Sequence, residues 1–171
     1  YGPLQIMFPM VGSLEDIRKA KEYLNLAKEQ LKERKQQFDE QIRIGIMIEI
    51  PAIALIADLA AEEVDFASIG SNDLTQYLSA ADRMNPEVAA YYKSDSTAML
   101  RLLGFVFREF SKREKEISVC GEMAGNPETA QLLVGLGARK LSMSSGNIAG
   151  VKAKLAECTL QELTALAEKK L

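Results

Sequence analysis

Histidine is missing from this 171-residue sequence, and cysteine is scarce. Without an imidazole, the chain cannot by itself complete a mechanism that needs a histidine base, a histidine metal ligand or a phosphohistidine. The two cysteines, Cys120 and Cys158, lie far apart in the sequence. They do not suggest a disulfide framework, so we expect a reducing, cytoplasmic environment.

Long apolar runs and clusters of basic residues are also missing. No apolar run approaches the roughly 18 residues that a membrane-spanning helix needs. The 21 lysines and arginines do not gather into a patch that could neutralise a nucleic-acid backbone, and the net charge is −3. The remaining composition, 47% hydrophobic and 26% charged, is ordinary for a globular protein, and the length suits one domain.

The sequence does contain a regular alternation of short apolar runs with longer amphipathic stretches. The apolar runs predict strands at 4–10, 42–50, 65–70, 116–123 and 139–144. Helical spacing predicts helices at 14–37, 52–62, 74–81, 97–114, 127–135, 147–156 and 159–170. Ser13 with Asp16 predicts a capping box at the first of these helices. This alternation predicts an α/β fold with a parallel sheet.

About five strand–helix units leave two architectures open. Five strands can form an open doubly wound sheet, or they can be part of an eight-stranded TIM (β/α)8 barrel, which takes about 250 residues when complete. No glycine-rich dinucleotide fingerprint follows a predicted strand, which weakens the first alternative. Both architectures bind ligands at the carboxyl ends of their strands. The residues at those ends are therefore the candidates for a site.

Polar side chains lie at three successive predicted strand ends. Glu49 is the penultimate residue of one strand, Asn72 and Asp73 follow the next, and Cys120 lies near the end of the one after. Arg83 comes ten positions after Asp73. Because the fold brings strand ends to one rim, their joint occurrence favours a shared site.

Each candidate taken singly also has a purely structural explanation. Glu49 can be a solvated residue or a helix cap, and the Asn-Asp pair can form a turn or cap the next helix. Cys120 can be a small buried hydrophobic residue, and Arg83 can pair with Asp82. These alternatives stay open at the level of the sequence.

The residue types indicate what such a site could bind. Glu49 and Asp73 supply hard oxygen ligands, which suit magnesium or manganese rather than zinc. A guanidinium such as that of Arg83 can bind phosphate or carboxylate in bidentate fashion. The residues alone therefore predict metal-assisted chemistry on a phosphorylated or carboxylated small molecule.

Three motifs resemble those of the phosphoenolpyruvate-utilising enzyme family. They are MIEIPA (47–52), SIGSNDLTQY (68–77) with AADR (80–83), and CGEMAG (120–125). The continuation QYLSAADRMN and the runs QIMFPM (5–10) and LSMS (141–144) look most like the enzyme I branch, which serves the phosphoenolpyruvate-dependent sugar phosphotransferase system. The similarity covers nearly the whole chain.

The resemblance implies a role for each candidate. Glu49 and Asp73 would bind Mg²⁺, Asn72 and Asp73 would hold phosphoenolpyruvate partly through backbone N–H groups, and Arg83 would contact its anionic groups. Cys120 matches the family's acid, which protonates the methylene carbon when the enolate becomes pyruvate. An ordinary thiol is mostly protonated near neutral pH and can donate such a proton.

The resemblance also implies a fold, a reaction and partners. Residues 1–171 would be the C-terminal part of the barrel domain, with the first barrel strands and an N-terminal phosphohistidine domain absent. In the family, phosphoryl passes from phosphoenolpyruvate to a histidine on that separate domain, with release of pyruvate. It then passes to a small phosphocarrier protein, as the first step of sugar uptake. Lacking histidine, the chain is expected to be inactive alone, and its exposed sheet edges predict a homodimer.

Two other functions remain open. Pyruvate phosphate dikinase and phosphoenolpyruvate synthase share the Asn-Asp and Cys-Gly motifs, and they form phosphoenolpyruvate from ATP and pyruvate. A non-catalytic, self-associating barrel fragment would keep the sequence without the chemistry. Such a fragment would give no heat on titration with phosphoenolpyruvate and Mg²⁺.

Overall fold

A four-stranded parallel sheet lies at the centre of the computed structural model, which describes residues 4–171. The strands are β1 (Gln5–Phe8), β2 (Arg43–Ile48), β3 (Phe66–Gly70) and β4 (Glu116–Cys120). Their order in the sheet is their order in the chain, and each neighbouring pair is parallel. The prediction of an α/β fold with a parallel sheet is therefore confirmed.

The fifth strand, predicted at 139–144, is reduced to a single parallel bridge between Leu141 and Val119. Backbone hydrogen bonds of 3.0 and 2.8 Å frame this bridge. The segment lies beside β4, where a further strand would lie, but the connection is short. The preceding helix ends at Leu136, and the next helix already begins at Ser145.

Helices connect the strands, and one predicted helix and one predicted strand differ from the structure. Within residues 4–171 they are α1 (Leu14–Glu33), α2 (Pro51–Leu55), α3 (Ala57–Glu63), α4 (Ser71–Ser79), a 3₁₀ helix (Pro86–Tyr91), α5 (Thr97–Lys112), α6 (Glu122–Gly125), α7 (Pro127–Leu136), α8 (Ser145–Ala156) and α9 (Leu160–Glu168). The helix predicted at 52–62 is interrupted at Ile56, whose φ of −116° and ψ of 34° are not helical. The strand predicted at 116–123 ends early because Gly121 has a φ of 99°.

The helices cover one face of the sheet in chain order. α1 packs against α3, α3 against α5, α5 against α7, and α7 against α9. Side chains alternate along each strand, so the register partners Ile48, Ile69 and Val119 share the face that joins the helices in the core. The register partners Met47 and Ser68 lie on the opposite face, the open face of the sheet. In the part of the chain described, no helix is both long and apolar enough to cross a membrane.

An ionic cluster lies at the amino ends of the strands. Glu116, the first residue of β4, contacts Lys140 and lies 3.7 Å from the Arg43 guanidinium of β2. Chiefly through the hydrogen bond from Lys140, the cluster lowers the pKa of Glu116 below its ordinary value. The Arg43 guanidinium also lies over the Phe66 ring, 5.6 Å from its centre. Charge pairing and stacking therefore occupy the end of the sheet opposite the candidate residues.

α1 is fixed at its start and along its side. Ser13 Oγ accepts a hydrogen bond from the Asp16 N–H, and the Asp16 carboxylate accepts one from the Ser13 N–H, so the predicted capping box is confirmed. At the end of α3, the Glu63 carboxylate accepts from Arg18 and Lys21 of α1, at 2.9 Å each. Mainly through the Lys21 hydrogen bond, this arrangement lowers the pKa of Glu63.

Candidate functional site

The predicted site residues follow or end adjacent strands, at the carboxyl edge of the sheet. Ile48 of β2 pairs with Ile69 of β3, and Gly70 of β3 pairs with Cys120 of β4. Glu49 follows β2 directly, and Asn72 and Asp73 follow β3. The sheet therefore brings the ends that carry these residues together.

Asn72 and Asp73 lie in the first turn of α4, not in a turn before it. The helix begins at Ser71, and its N-cap is Gly70, which has no side chain to cap the helix. The alternative that the Asn-Asp pair caps a helix beginning near Leu74 is therefore wrong. The first N–H groups of a helix have no partner within it, so this end of α4 presents donors and a favourable dipole to an anion.

The turn after β4 is joined to the start of α4 by two hydrogen bonds. Ser71 Oγ donates to the Cys120 carbonyl oxygen at 2.7 Å, and the Glu122 N–H donates to Asn72 Oδ1 at 3.0 Å. Because Oδ1 is engaged in this way, the Nδ2 group of Asn72 remains as a donor for a ligand.

Gly121 makes this close approach possible. A Cβ at Gly121 would lie 2.5 Å from Ser71 Oγ and 2.8 Å from Asn72 Oδ1, and the φ of 99° is one that side chains rarely adopt. The Cys-Gly dipeptide therefore has a structural requirement at its glycine as well as a candidate acid at its cysteine.

Glu49 is almost wholly buried, with 7% of its surface exposed. Its Oε1 accepts a hydrogen bond from the Met10 N–H at 2.8 Å. The N-cap of α2 is Ile50, and no side chain caps that helix. The alternatives of a solvated residue and of a helix cap are therefore both wrong. A Cβ at Gly70 would lie 2.9 Å from Glu49 Oε2, so the glycine keeps the space beside this second oxygen free.

The Cys120 thiol is half-buried on the open face of the sheet, not sealed in the core. Sγ lies 3.4 Å from the Ile69 carbonyl oxygen and 3.9 Å from Met47 Sδ. The thiol can donate a weak hydrogen bond to this carbonyl, and its sulfur remains partly accessible.

Arg83 lies near Asp73, as a shared site requires. The Arg83 Nη2 atom is 3.7 Å from Asp73 Oδ1, and both side chains are more than a third exposed. Asp82, the alternative partner, accepts a hydrogen bond from the Met84 N–H instead. At this distance and exposure the ion pair is weak, which leaves the guanidinium available to an anionic ligand.

Tyr92 is a residue of this site that the sequence did not reveal. Its hydroxyl donates to the Asn72 carbonyl oxygen at 3.1 Å. Burial, and then the Glu122 charge, raise the pKa of Tyr92, whereas Arg83 acts in the opposite direction. The one signal available was a pair of tyrosines, YY at 91–92, between the helices predicted at 74–81 and 97–114.

Comparison with known proteins identifies the family. Residues 1–160 match the family described as PEP-utilising enzyme, PEP-binding domain, where PEP is phosphoenolpyruvate. The chain belongs to this family. The resemblance seen in the three motifs is therefore confirmed.

Several relatives share this PEP-binding domain. Multiphosphoryl transfer protein 2 of Escherichia coli (strain K12) is 45% identical over 162 residues. The phosphoenolpyruvate-protein phosphotransferases of Priestia megaterium and Bacillus subtilis (strain 168) are each 42% identical, over 163 and 169 residues. The alignments cover 95%, 95% and 99% of this chain but only 19%, 28% and 30% of the relatives. The chain thus spans less than a third of their length, and their names agree with the predicted phosphotransferase branch.

Proposed function

We propose that this chain binds phosphoenolpyruvate and serves a phosphoenolpyruvate-protein phosphotransferase as its PEP-binding domain. The observation that carries the proposal is that the carboxyl ends of β2, β3 and β4, with the segments that follow them, contact one another. Glu49 lies beside Gly70 of the next strand, and α4 and the turn after β4 are linked through Ser71 and Asn72. This arrangement supports a single site made of carboxylates, amide, guanidinium and thiol.

The sheet itself supports a further proposal, that it is part of a TIM (β/α)8 barrel. The four parallel strands follow chain order without the reversal that marks a doubly wound sheet. The helices also pack in chain order on one face, as barrel helices do around their strands. The candidate residues then lie at the carboxyl face, where TIM barrels place their active sites.

Glu49 and Asp73 are the residues that would hold Mg²⁺. Their donors are carboxylate oxygens, and Gly70 keeps the space beside Glu49 Oε2 open. Among residues 4–171, no three histidine, cysteine, aspartate or glutamate side chains gather into a metal site. Two carboxylates fit Mg²⁺, which usually takes one or two and fills its other positions with water and substrate phosphate. When bound, the ion would neutralise charge on the phosphoryl group and the enolate.

The start of α4 and Arg83 are the groups that would hold the anionic substrate. Unpartnered N–H groups of the first turn, with Asn72 Nδ2, can donate to phosphate or carboxylate oxygens. The Arg83 guanidinium adds charge-assisted hydrogen bonds from the side of Asp73. Together these groups would fix the position of phosphoenolpyruvate and stabilise charge on its oxygens.

Cys120 is the proposed proton donor. Transfer of the phosphoryl group leaves an enolate, whose methylene carbon takes the proton from Sγ. A C–H bond forms, the S–H bond breaks, and its electron pair stays on sulfur as thiolate. The products are pyruvate and a thiolate that must be reprotonated before the next turnover.

These 171 residues contain no histidine that could accept the phosphoryl group. We propose a histidine on a separate domain, with a small phosphocarrier protein receiving the group from it. A homodimer and a cytoplasmic location belong to the same proposal. Both described cysteines are free, which fits a reducing environment.

Titration calorimetry with phosphoenolpyruvate in the presence of Mg²⁺ tests the proposal. We expect saturable binding by the wild-type chain, and loss of the Mg²⁺-dependent part of the affinity in Glu49→Gln and Asp73→Asn. Glu87→Gln, which removes an exposed carboxylate from the neighbouring 3₁₀ helix, is the matched control and should bind as the wild type does. No heat from the wild type would favour the non-catalytic alternative. Equal losses of affinity in all three variants would indicate an effect of the net charge of the chain and not of a metal site.

A further inference from the structure

Tyr92 anchors the loop that also carries Arg83. This loop, residues 80–96, connects α4 to α5. Near its start, the Arg83 N–H donates to Gln76 Oε1 of α4 at 3.2 Å. Near its end, the Tyr92 hydroxyl donates to the Asn72 carbonyl oxygen. Both ends of the loop are therefore hydrogen-bonded to α4, which also carries Asp73, the partner of the Arg83 guanidinium.

The Tyr92 hydroxyl lies among the charged groups of the site. Burial raises the pKa of Tyr92 most strongly, and the charges of Glu122, Arg83 and Asp73 influence it as well. Because the phenol is neutral, it acts as a hydrogen-bond donor towards the Asn72 carbonyl.

The Asn72 carbonyl belongs to the same peptide group as the Asp73 N–H. A trans peptide is planar, so its C=O and N–H point in opposite directions. Because Asn72 lies within α4, the helix already directs this peptide, and the Tyr92 hydrogen bond to the Asn72 C=O reinforces the direction of the Asp73 N–H. That N–H is one of the unpartnered donors at the start of α4.

We propose that Tyr92 is a positioning residue of this site, whose hydroxyl orients the Asn72–Asp73 peptide and holds Arg83 towards the ligand. The inference rests on the proposed function, because phosphoenolpyruvate is the ligand that Arg83 and the Asp73 N–H would contact. Tyr92 acts through these two groups and needs no contact with the substrate.

The test compares Tyr92→Phe with Tyr91→Phe in the 171-residue chain. Tyr92→Phe removes only the hydroxyl, and Tyr91, 70% exposed, is the matched control on the adjacent residue. In phosphoenolpyruvate titrations with Mg²⁺, we expect about five-fold weaker binding for Tyr92→Phe, the loss of one hydrogen bond of ordinary strength. Tyr91→Phe should bind like the wild type. Wild-type affinity in Tyr92→Phe would overturn the inference while leaving the proposed function intact.

A double-mutant cycle with Arg83→Lys separates positioning from simple stability. If Tyr92 acts through Arg83, the two losses of affinity are not additive, because Tyr92→Phe has less to remove once the guanidinium is gone. Strict additivity, with a lowered unfolding midpoint, would show a merely structural role and overturn the inference.

Hydrogen–deuterium exchange of the ligand-free chain gives a result that does not depend on binding. We expect faster exchange across residues 80–96 and at the Asp73 amide in Tyr92→Phe, and no change in Tyr91→Phe. If the wild type binds no phosphoenolpyruvate, the proposed function fails and the exchange data decide on Tyr92 alone. Faster exchange in Tyr92→Phe would then support its positioning role, and equal exchange in both variants would overturn it.

Discussion

Cys120 obtains its surroundings from three strands. Met47 of β2 and the Ile69 carbonyl of β3 contact its sulfur. The hydroxyl of Ser71, the residue after β3, donates a hydrogen bond to the Cys120 carbonyl oxygen. The sequence predicts the cysteine at a strand end, because an apolar run stops there. It does not predict these neighbours, since they depend on a register that exists only in the folded sheet.

Replacement of Cys120 by serine should separate binding from proton transfer. A serine hydroxyl is a much weaker acid than a thiol, so with Mg²⁺ present we expect the exchange of pyruvate methyl protons with D₂O to slow by about 100-fold or more. Phosphoenolpyruvate affinity should stay close to that of the wild type. NMR of the pyruvate methyl signal measures the exchange.

Cys158→Ser is the control for this replacement. Cys158 is the other free cysteine and contacts Gln131 of α7, not the rim. It should leave the exchange rate unchanged. Equal rates in Cys120→Ser and the wild type would rule out the thiol as the proton donor.

Gly121→Ala should destabilise the protein and weaken the site together. A methyl group there meets Ser71 Oγ and Asn72 Oδ1 at less than 3 Å, with φ at 99°. We expect a loss of about 1–3 kcal/mol in the free energy of unfolding, measured with urea. Gly146→Ala is the control, because nothing lies within 4 Å of a Cβ at that helical position. It should be neutral or stabilising by up to about 1 kcal/mol.

The first turn of α4 shows how far local sequence patterns determine an element. The pattern predicts a helix near Leu74, whereas the helix begins at Ser71 with Gly70 as N-cap. Local rules expect Asn72 to cap, but its oxygen is engaged by the Glu122 N–H from a distant turn. Tyr92 was missed for the same reason, since its partner lies twenty residues away. Periodicity predicted the elements well, and contacts distant in sequence decided their ends.

The contact between α1 and α3 should depend on pH through Glu63. Its lowered pKa means that the folded state favours the carboxylate, which accepts from Arg18 and Lys21. This stabilisation is fully present above the unfolded-state pKa of about 4.3 and is lost as the pH falls through the lower folded-state pKa. Glu63→Gln should therefore lower the free energy of unfolding by about 1 kcal/mol at pH 7 and by less at pH 3.

Urea unfolding at both pH values measures the effect of Glu63→Gln. Glu29→Gln, an exposed carboxylate on α1, is the control and should change stability little at either pH. A Glu63→Gln difference that stays constant between pH 7 and pH 3 would contradict an ionic contact between the helices.

The sheet as a whole leaves backbone and apolar surface for a second chain to cover. Within residues 4–171, β1 pairs only with β2, and the outer edge of β4 pairs with other backbone only at the Leu141 bridge. Met7, on the open face, is 38% exposed. Unpaired strand edges of this kind favour association between chains.

Self-association should therefore be measurable and sensitive to charge on β1. We expect size-exclusion chromatography with light scattering to show a concentration-dependent dimer or larger species. Met7→Lys places a charge on the edge strand and should weaken association by about tenfold, or 1.4 kcal/mol. Met84→Lys, at an 81% exposed loop position, should not. A monomer over a wide concentration range would refute the expectation.

The hydrogen bond from Glu122 to Asn72 also has a consequence for the order in which the site matures. During synthesis, Glu49, Asp73 and Arg83 leave the ribosome before β4 does. These charged residues can therefore come together on the nascent chain. The Asn72 amide, however, is not held until the turn after β4 docks on α4. We therefore expect phosphoenolpyruvate affinity to appear only after this turn has docked, and mild denaturant that frees the turn from α4 should weaken binding.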